Sequence, residues 1–268
     1  MDTGTLDVPG ARLSFEVRGR GPALLTILGG GADAAMAAPL ADALAGRYTV
    51  ITYDRRASVR SPLTGPLAEQ RIEEHADDAR RLLGELGADP AYVFATHSGA
   101  LIALDLLARH PERVRRLVAH EPPAFDLLPD AGRWRRLEQE VVRIHRSDGI
   151  GPALHRLGAE TGVTAAPEPD PNLPPWLRDM LARMAVNMET SLLYELRSFC
   201  RYVPDAEALR GAPLVLASGM LTKGGPMHRC TVAVAEHLGV TPVELPGDYV
   251  GYLRSPAEFA AALHDLLT

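Results

Sequence analysis

Apolar and polar positions along this chain switch between a period of two and a period near 3.6. Residues 5–18 alternate around the turn Pro9-Gly10, the pattern of an opening hairpin. Ala23-Leu24-Leu25-Thr26-Ile27-Leu28 is a nearly continuous apolar run, which reads as a buried strand, and it leads into Gly29-Gly30-Gly31. An alanine-rich helix is predicted at 34–45, and Tyr48 to Tyr53 reads as the next strand, ending at Asp54-Arg55-Arg56. Ile72, Ala76, Ala79, Leu82, Leu83 and Leu86 fall at helical spacing within 68–86. Ala91-Tyr92-Val93-Phe94 is a further short strand, and the apolar stretch from Ala100 to His110 reads as a helix that Pro111 stops. Arg116-Leu117-Val118-Ala119 is one more strand, which delivers His120-Glu121-Pro122-Pro123 to its C-terminal end.

After Pro123 the alternation lapses. Helices are predicted at 133–147, 150–160 and 175–200, with a proline-dense linker from Ala165 to Pro175 before the last. Strand text resumes at 213–217 and at 241–245, and a last helix covers 256–267. Strands and helices alternating on both sides of a helical stretch imply a mostly parallel sheet with an inserted lid.

Composition narrows the class. A chain of 268 residues with 46% apolar and 23% charged residues fits one soluble domain plus an insertion. A formal net charge of −6 leaves no electrostatic footprint for nucleic acid or an anionic membrane, so neither is expected as a partner. The start of the chain lacks signal-peptide character, and no apolar window is long enough to span a bilayer, so a cytoplasmic protein is expected. Cys200 and Cys230 have no metal-type spacing, and neither a metal nor a cofactor is expected. Monomer and homodimer both remain open.

The Gly-rich turn after the third strand, Tyr53-Asp54-Arg55-Arg56, the strand–turn–helix around Ala95-Thr96-His97-Ser98-Gly99, His110-Pro111-Glu112-Arg113-Val114 and Leu245-Pro246-Gly247 occur in the order they take in one superfamily. In these landmarks the chain resembles the α/β-hydrolases over nearly its whole length, and is closest in flavour to small bacterial members with a helical cap. The resemblance implies a mostly parallel eight-stranded sheet flanked by helices. It assigns 1–123 and 206–268 to the core and 124–205 to the cap.

The resemblance also marks where the chemistry departs. Counting back about fourteen residues from Pro111 places the family's nucleophile at His97, and a one-residue slip would place it at Ser98 instead. The base histidine of relatives, about seven residues before the proline of the last helix, falls on Tyr249. No Asp or Glu stands anywhere from 208 to 235, where the acid is usual. An oxyanion hole made of backbone N–H groups survives such changes, with donors expected at Ser98 and at Gly30 or Gly31. On this reading His97 is a base whose unperturbed pKa lies near neutral, Tyr249 an acid or hydrogen-bond donor, and Glu121 an orienting carboxylate. Asp248 is a weaker candidate for the orienting role.

Each of these residues also has a plain structural reading: His97 as filler of a disabled pocket, Tyr249 as packing, Glu121 as an acceptor for backbone. Met180, Met184, Met188 and Leu192 recur every four residues on the predicted lid helix. With Leu28 and Met36 they suggest an apolar, adaptable pocket for a hydrophobic metabolite, with Met184 and Met188 the lid's contribution to it. The expectation is therefore a cofactor-independent cyclase, lyase or isomerase. The alternatives are a small-molecule binding protein and a residual serine hydrolase using Ser98.

Overall fold

The apolar runs become strands buried on both faces. In the computed structural model, which describes residues 1–162 and 172–268, eight strands form one sheet. They are β1 (Asp2–Val8), β2 (Ala11–Gly19), β3 (Ala23–Ile27), β4 (Thr49–Tyr53), β5 (Ala91–Thr96), β6 (Val114–His120), β7 (Leu214–Gly219) and β8 (Val243–Leu245). Their order across the sheet is β1-β2-β4-β3-β5-β6-β7-β8. The β1–β2 hairpin and the β2–β4 pair are antiparallel, and all other neighbours are parallel. The expected α/β-hydrolase fold, with a mostly parallel eight-stranded sheet, is the fold observed.

Parallel strands need crossover connections, and helices supply them on both faces. The helices of the sheet layers are α1 (Ala34–Leu44), α2 (Ile72–Glu85), α3 (Ser98–Arg109), α8 (Pro226–Leu238), α9 (Gly251–Arg254) and α10 (Pro256–Leu267). Leu25, Ile27, Val93 and Ala95 point to one face and pack with Leu82, Leu83, Leu104 and Val234. Leu24, Phe94 and Val118 point to the other and pack with Leu40, Leu44, Phe259 and Leu263. This alternation, period two within a run that is apolar throughout, explains why the strands read as unbroken.

Between β6 and β7 stand α4 (Ala131–Asp148), α5 (Ile150–Thr161), α6 (Pro175–Tyr194) and α7 (Leu196–Cys200). Trp134, Leu137, Val141, Ala153 and Leu192 form a third cluster with Met227 and Cys230 of α8. The Ala165–Pro175 linker falls mainly on 163–171, outside the described residues. Three elements differ from expectation, one being the short α9, where no helix is predicted. The predicted 175–200 helix is broken at Glu195. Helix α8 has no counterpart among the predicted elements, although Pro226 at its start and the left-handed Gly239 at its end are ordinary start and stop signals. Among the described residues no helix is long and apolar enough to cross a membrane, and no group of three or more metal-ligating side chains is assembled.

Candidate functional site

The tight turn between β5 and α3 concentrates its strain on one residue. His97 has φ 54° and ψ −132°, a region that costs a non-glycine residue roughly 1–3 kcal/mol. Its N–H donates to the His120 carbonyl at 2.9 Å, and its own carbonyl accepts from the Ala100 N–H at 2.9 Å. Gly99 allows α3 to approach β3, since a Cβ there would strike the Ile27 and Leu28 carbonyl oxygens. Ser98 does not carry the turn. It is the first residue of α3, buried, and its Oγ accepts the Gly30 N–H at 2.9 Å. The Gly30 N–H, expected as an anion donor, thus donates to the chain's own hydroxyl.

Each glycine of the turn after β3 is required by a different neighbour. A Cβ on Gly29 would meet the His97 side chain, one on Gly30 would run into Ser191 Oγ, and one on Gly31 would run into Met188. Gly31 also has φ 85°.

The rings of His97 and Tyr249 face each other with centroids 5.8 Å apart and planes inclined at 47°. Burial pushes the His97 imidazole down to about 4, and the Arg55 guanidinium adds to the effect. The ring is therefore neutral at pH 7, a much weaker base than its unperturbed value suggests, and its buried Nε2 has no hydrogen-bond partner among the described residues. Behind it, burial and the neighbouring His97 lower His120 to about 3. Thr96 Oγ1 lies 3.1 Å from His120 Nδ1 and donates to the Tyr249 carbonyl at 3.2 Å, which ties the Tyr249 backbone to the end of β5.

Glu121, with φ 52°, is buried at the end of β6. Its Oε1 accepts the Gly219 N–H at 2.8 Å, at the end of β7, and the Thr222 hydroxyl, in the turn that follows. Burial raises its carboxyl above the ordinary range, while the Thr222 and Gly219 hydrogen bonds oppose that rise. Glu121 thus supplies a carboxylate to the turn that has none in its own sequence. Among the described residues it makes no hydrogen bond to His97. Asp248 is engaged locally, accepting the Val250 N–H at 3.1 Å and pairing with Arg254 at 3.2 Å.

A cavity of about 220 Å³ opens over this constellation, lined by Met36, His97, Met184, Met188, Tyr249 and Leu253 together with the glycine turn. A second of about 80 Å³ shares Gly30, His97 and Met188 with it and extends to Phe125, Leu157 and Met227. Leu28 lines neither. It shares the core face of Leu24, two pleats away, and packs with Leu40 and Ala37. Helix α6 is bound across the mouth by Arg183 to Asp33 at 2.7 Å and by Asn187 Oδ1, which accepts the Val59 N–H at 2.9 Å. Where α6 breaks, Glu195 meets Arg55 in a buried pair at 2.9 Å and accepts the Ser191 hydroxyl at 2.8 Å. Sequence reasoning missed Arg55, Ser191 and Glu195. The i, i+4 spacing of Ser191 and Glu195 on a predicted helix was the one signal available.

Comparison with known proteins agrees with this architecture. A family model described as alpha/beta hydrolase fold matches residues 22–161. The chain is 37% identical over 276 residues to the uncharacterized hydrolase YraK of Bacillus subtilis, an alignment covering all of this chain and 96% of YraK. Among solved structures, it is similar to an alpha/beta hydrolase from Sphaerobacter thermophilus, with TM-score 0.69, 24% identity, and coverage of 99% of this chain and 100% of that one. It is also similar to the enol-lactonase from Burkholderia xenovorans, with TM-score 0.70, 20% identity, and coverage of 98% and 99%. With the sheet order, the turn at His97 and a full-length relative in agreement, the chain belongs to the α/β-hydrolase fold family.

Proposed function

We propose that the chain is a cofactor-independent enzyme that moves a proton on a hydrophobic small molecule, as a cyclase, lyase or isomerase, rather than hydrolysing an ester through serine. The observation that carries this reading is the histidine at the strained turn, its ring facing Tyr249 across an apolar cavity. An imidazole with a pKa near 4 is fully in its basic form at pH 7, and its protonated form gives the proton back readily. Such a base suits an acidic carbon, one beside a carbonyl or between two, and a proton returned to a neighbouring atom. Tyr249 would donate a hydrogen bond to the carbonyl oxygen as charge develops there, with the N-terminus of α3 adding a favourable field. Glu121 acts at one remove, by fixing the turn after β7. Helices α4–α7 serve as the cap, and Met184 and Met188 adapt to the apolar body of the substrate.

A second reading, ligand binding without turnover, is favoured by the occupied Gly30 amide. The two separate in a deuterium-exchange assay. A panel of apolar cyclic ketones in D2O, followed by proton NMR, should show α-hydrogen exchange catalysed by the wild type. His97→Ala and Tyr249→Phe should each reduce it by about 100-fold. Exchange that survives in both variants would sink the proton-transfer reading, and saturable binding with no exchange would establish the second.

A further inference from the structure

The break between α6 and α7 gives the cavity a polar group with a defined sense. Ser191 lines the smaller cavity, and its hydroxyl hydrogen is committed to Glu195 Oε2 at 2.8 Å. The same oxygen accepts Arg55 Nη2 at 2.9 Å. Glu195 and Arg55 are both more than nine-tenths buried, and the buried Arg55 Nη1 has no partner among the described residues. The guanidinium also sits 5.7 Å from the centre of the Phe199 ring, which holds it in place. With its hydrogen directed away to a carboxylate, the Ser191 oxygen can only accept. It does so beside Gly30, where the absence of a Cβ lets the α6 backbone come close enough to bring that oxygen against the glycine turn. Phe125, Leu154, Leu157, Leu196 and Met227 make most of the remaining wall apolar, and its other polar side chains are His97, Thr161 and Cys200.

We propose that Ser191, positioned by Glu195 and Arg55, is a binding residue that selects apolar ligands carrying a hydroxyl or N–H group at the junction of the two cavities. This rests on the reading that the cavities receive a small molecule, and adds the chemical class: an alcohol, enol or amide donor on an otherwise apolar frame. A ligand without a donor leaves the Ser191 oxygen desolvated and unpaired, which discriminates against it.

Toluene and benzyl alcohol share a ring and differ by one hydroxyl, so they serve as probes. Each is titrated into wild type and Ser191→Ala, and binding is read from the amide shifts of Gly30 and Met188 in nitrogen–proton NMR spectra. The ratio of benzyl alcohol to toluene affinity should fall about tenfold in Ser191→Ala, through loss of the hydrogen bond to benzyl alcohol and relief of the unpaired oxygen against toluene. Glu195→Gln keeps the shape and an acceptor but not the charge, and should lower the same ratio by about threefold. An unchanged ratio in Ser191→Ala overturns the proposal and leaves the cavity reading standing. If neither probe shifts the Gly30 and Met188 amides, the cavity reading itself fails and the proposal falls with it.

Discussion

Acidification should weaken this protein in a way that can be traced to His97. In the folded chain burial holds its imidazole near 4, whereas the unfolded side chain titrates near 6.5. Between those values the unfolded state binds the proton and the folded state does not, so stability falls as pH drops from about 6.5 to about 4. Above that window the contribution is complete. Below it both states are protonated and the loss levels off at about 3 kcal/mol, from a gap of about 2.5 pKa units at 1.36 kcal/mol each. At pH 5 most of the unfolded rings and few of the folded ones are charged, which amounts to about 2 kcal/mol. The test compares urea unfolding of wild type and His97→Gln at pH 7 and pH 5. His75, also lowered by burial, adds its own loss equally to both proteins, while the part of the His120 depression that comes from His97 leaves with it and counts toward the difference. Wild type should lose about 2 kcal/mol more than the variant between the two pH values. Equal losses would mean that His97 is not held neutral, and the neutral-base mechanism would lose its physical footing.

A fluorophosphonate probe should leave the folded protein unmodified in intact-mass spectra, because Ser98 is 6% exposed with its hydroxyl engaged by the Gly30 amide. A stoichiometric adduct on Ser98 would reverse the assignment of the turn. Gly30→Ala should cost about 1–3 kcal/mol, read from thermal unfolding, because its Cβ collides with Ser191. The double variant Gly30→Ala/Ser191→Ala should recover part of that loss, and full additivity would show that the collision is not the cause.

The central strands were legible because burial on both faces leaves unbroken apolar runs, and the helices between them announce themselves by spacing and proline. Helix α8 was not, since Thr231-Val232-Ala233-Val234-Ala235 is rich in β-branched residues and lacks a clear polar face. Nothing in Tyr194-Glu195-Leu196 announces a helix break. The break accompanies a tertiary contact, the buried pair of Glu195 with Arg55, which local propensity does not contain. At the site, counting along the chain singles out His97 and Tyr249, and the fold sets their rings 5.8 Å apart at a tilt of 47°. What counting does not contain is the electrostatic state of His97, which depends on how much protein surrounds it. Nor does it contain the Ser98–Gly30 bond, which joins residues 68 positions apart. Leu28 adjoins the glycine turn in sequence, but it packs into the core with Leu24 and Leu40 and not into either cavity.

The three glycines after β3 also bear on how this protein can change. Gly29 yields to the turn residue of the core, Gly30 to a serine of the inserted helices and Gly31 to a methionine one turn earlier on the same helix. A randomised library at 29–31, sorted for folded protein, should therefore return glycine at all three positions for unrelated reasons. Only at Gly30 could a compensating change in the insertion relax the demand, since Gly31 also holds φ 85°. The insertion and the glycine turn are consequently bound to drift together, and transplanting the helices of a relative onto this core would require its turn as well.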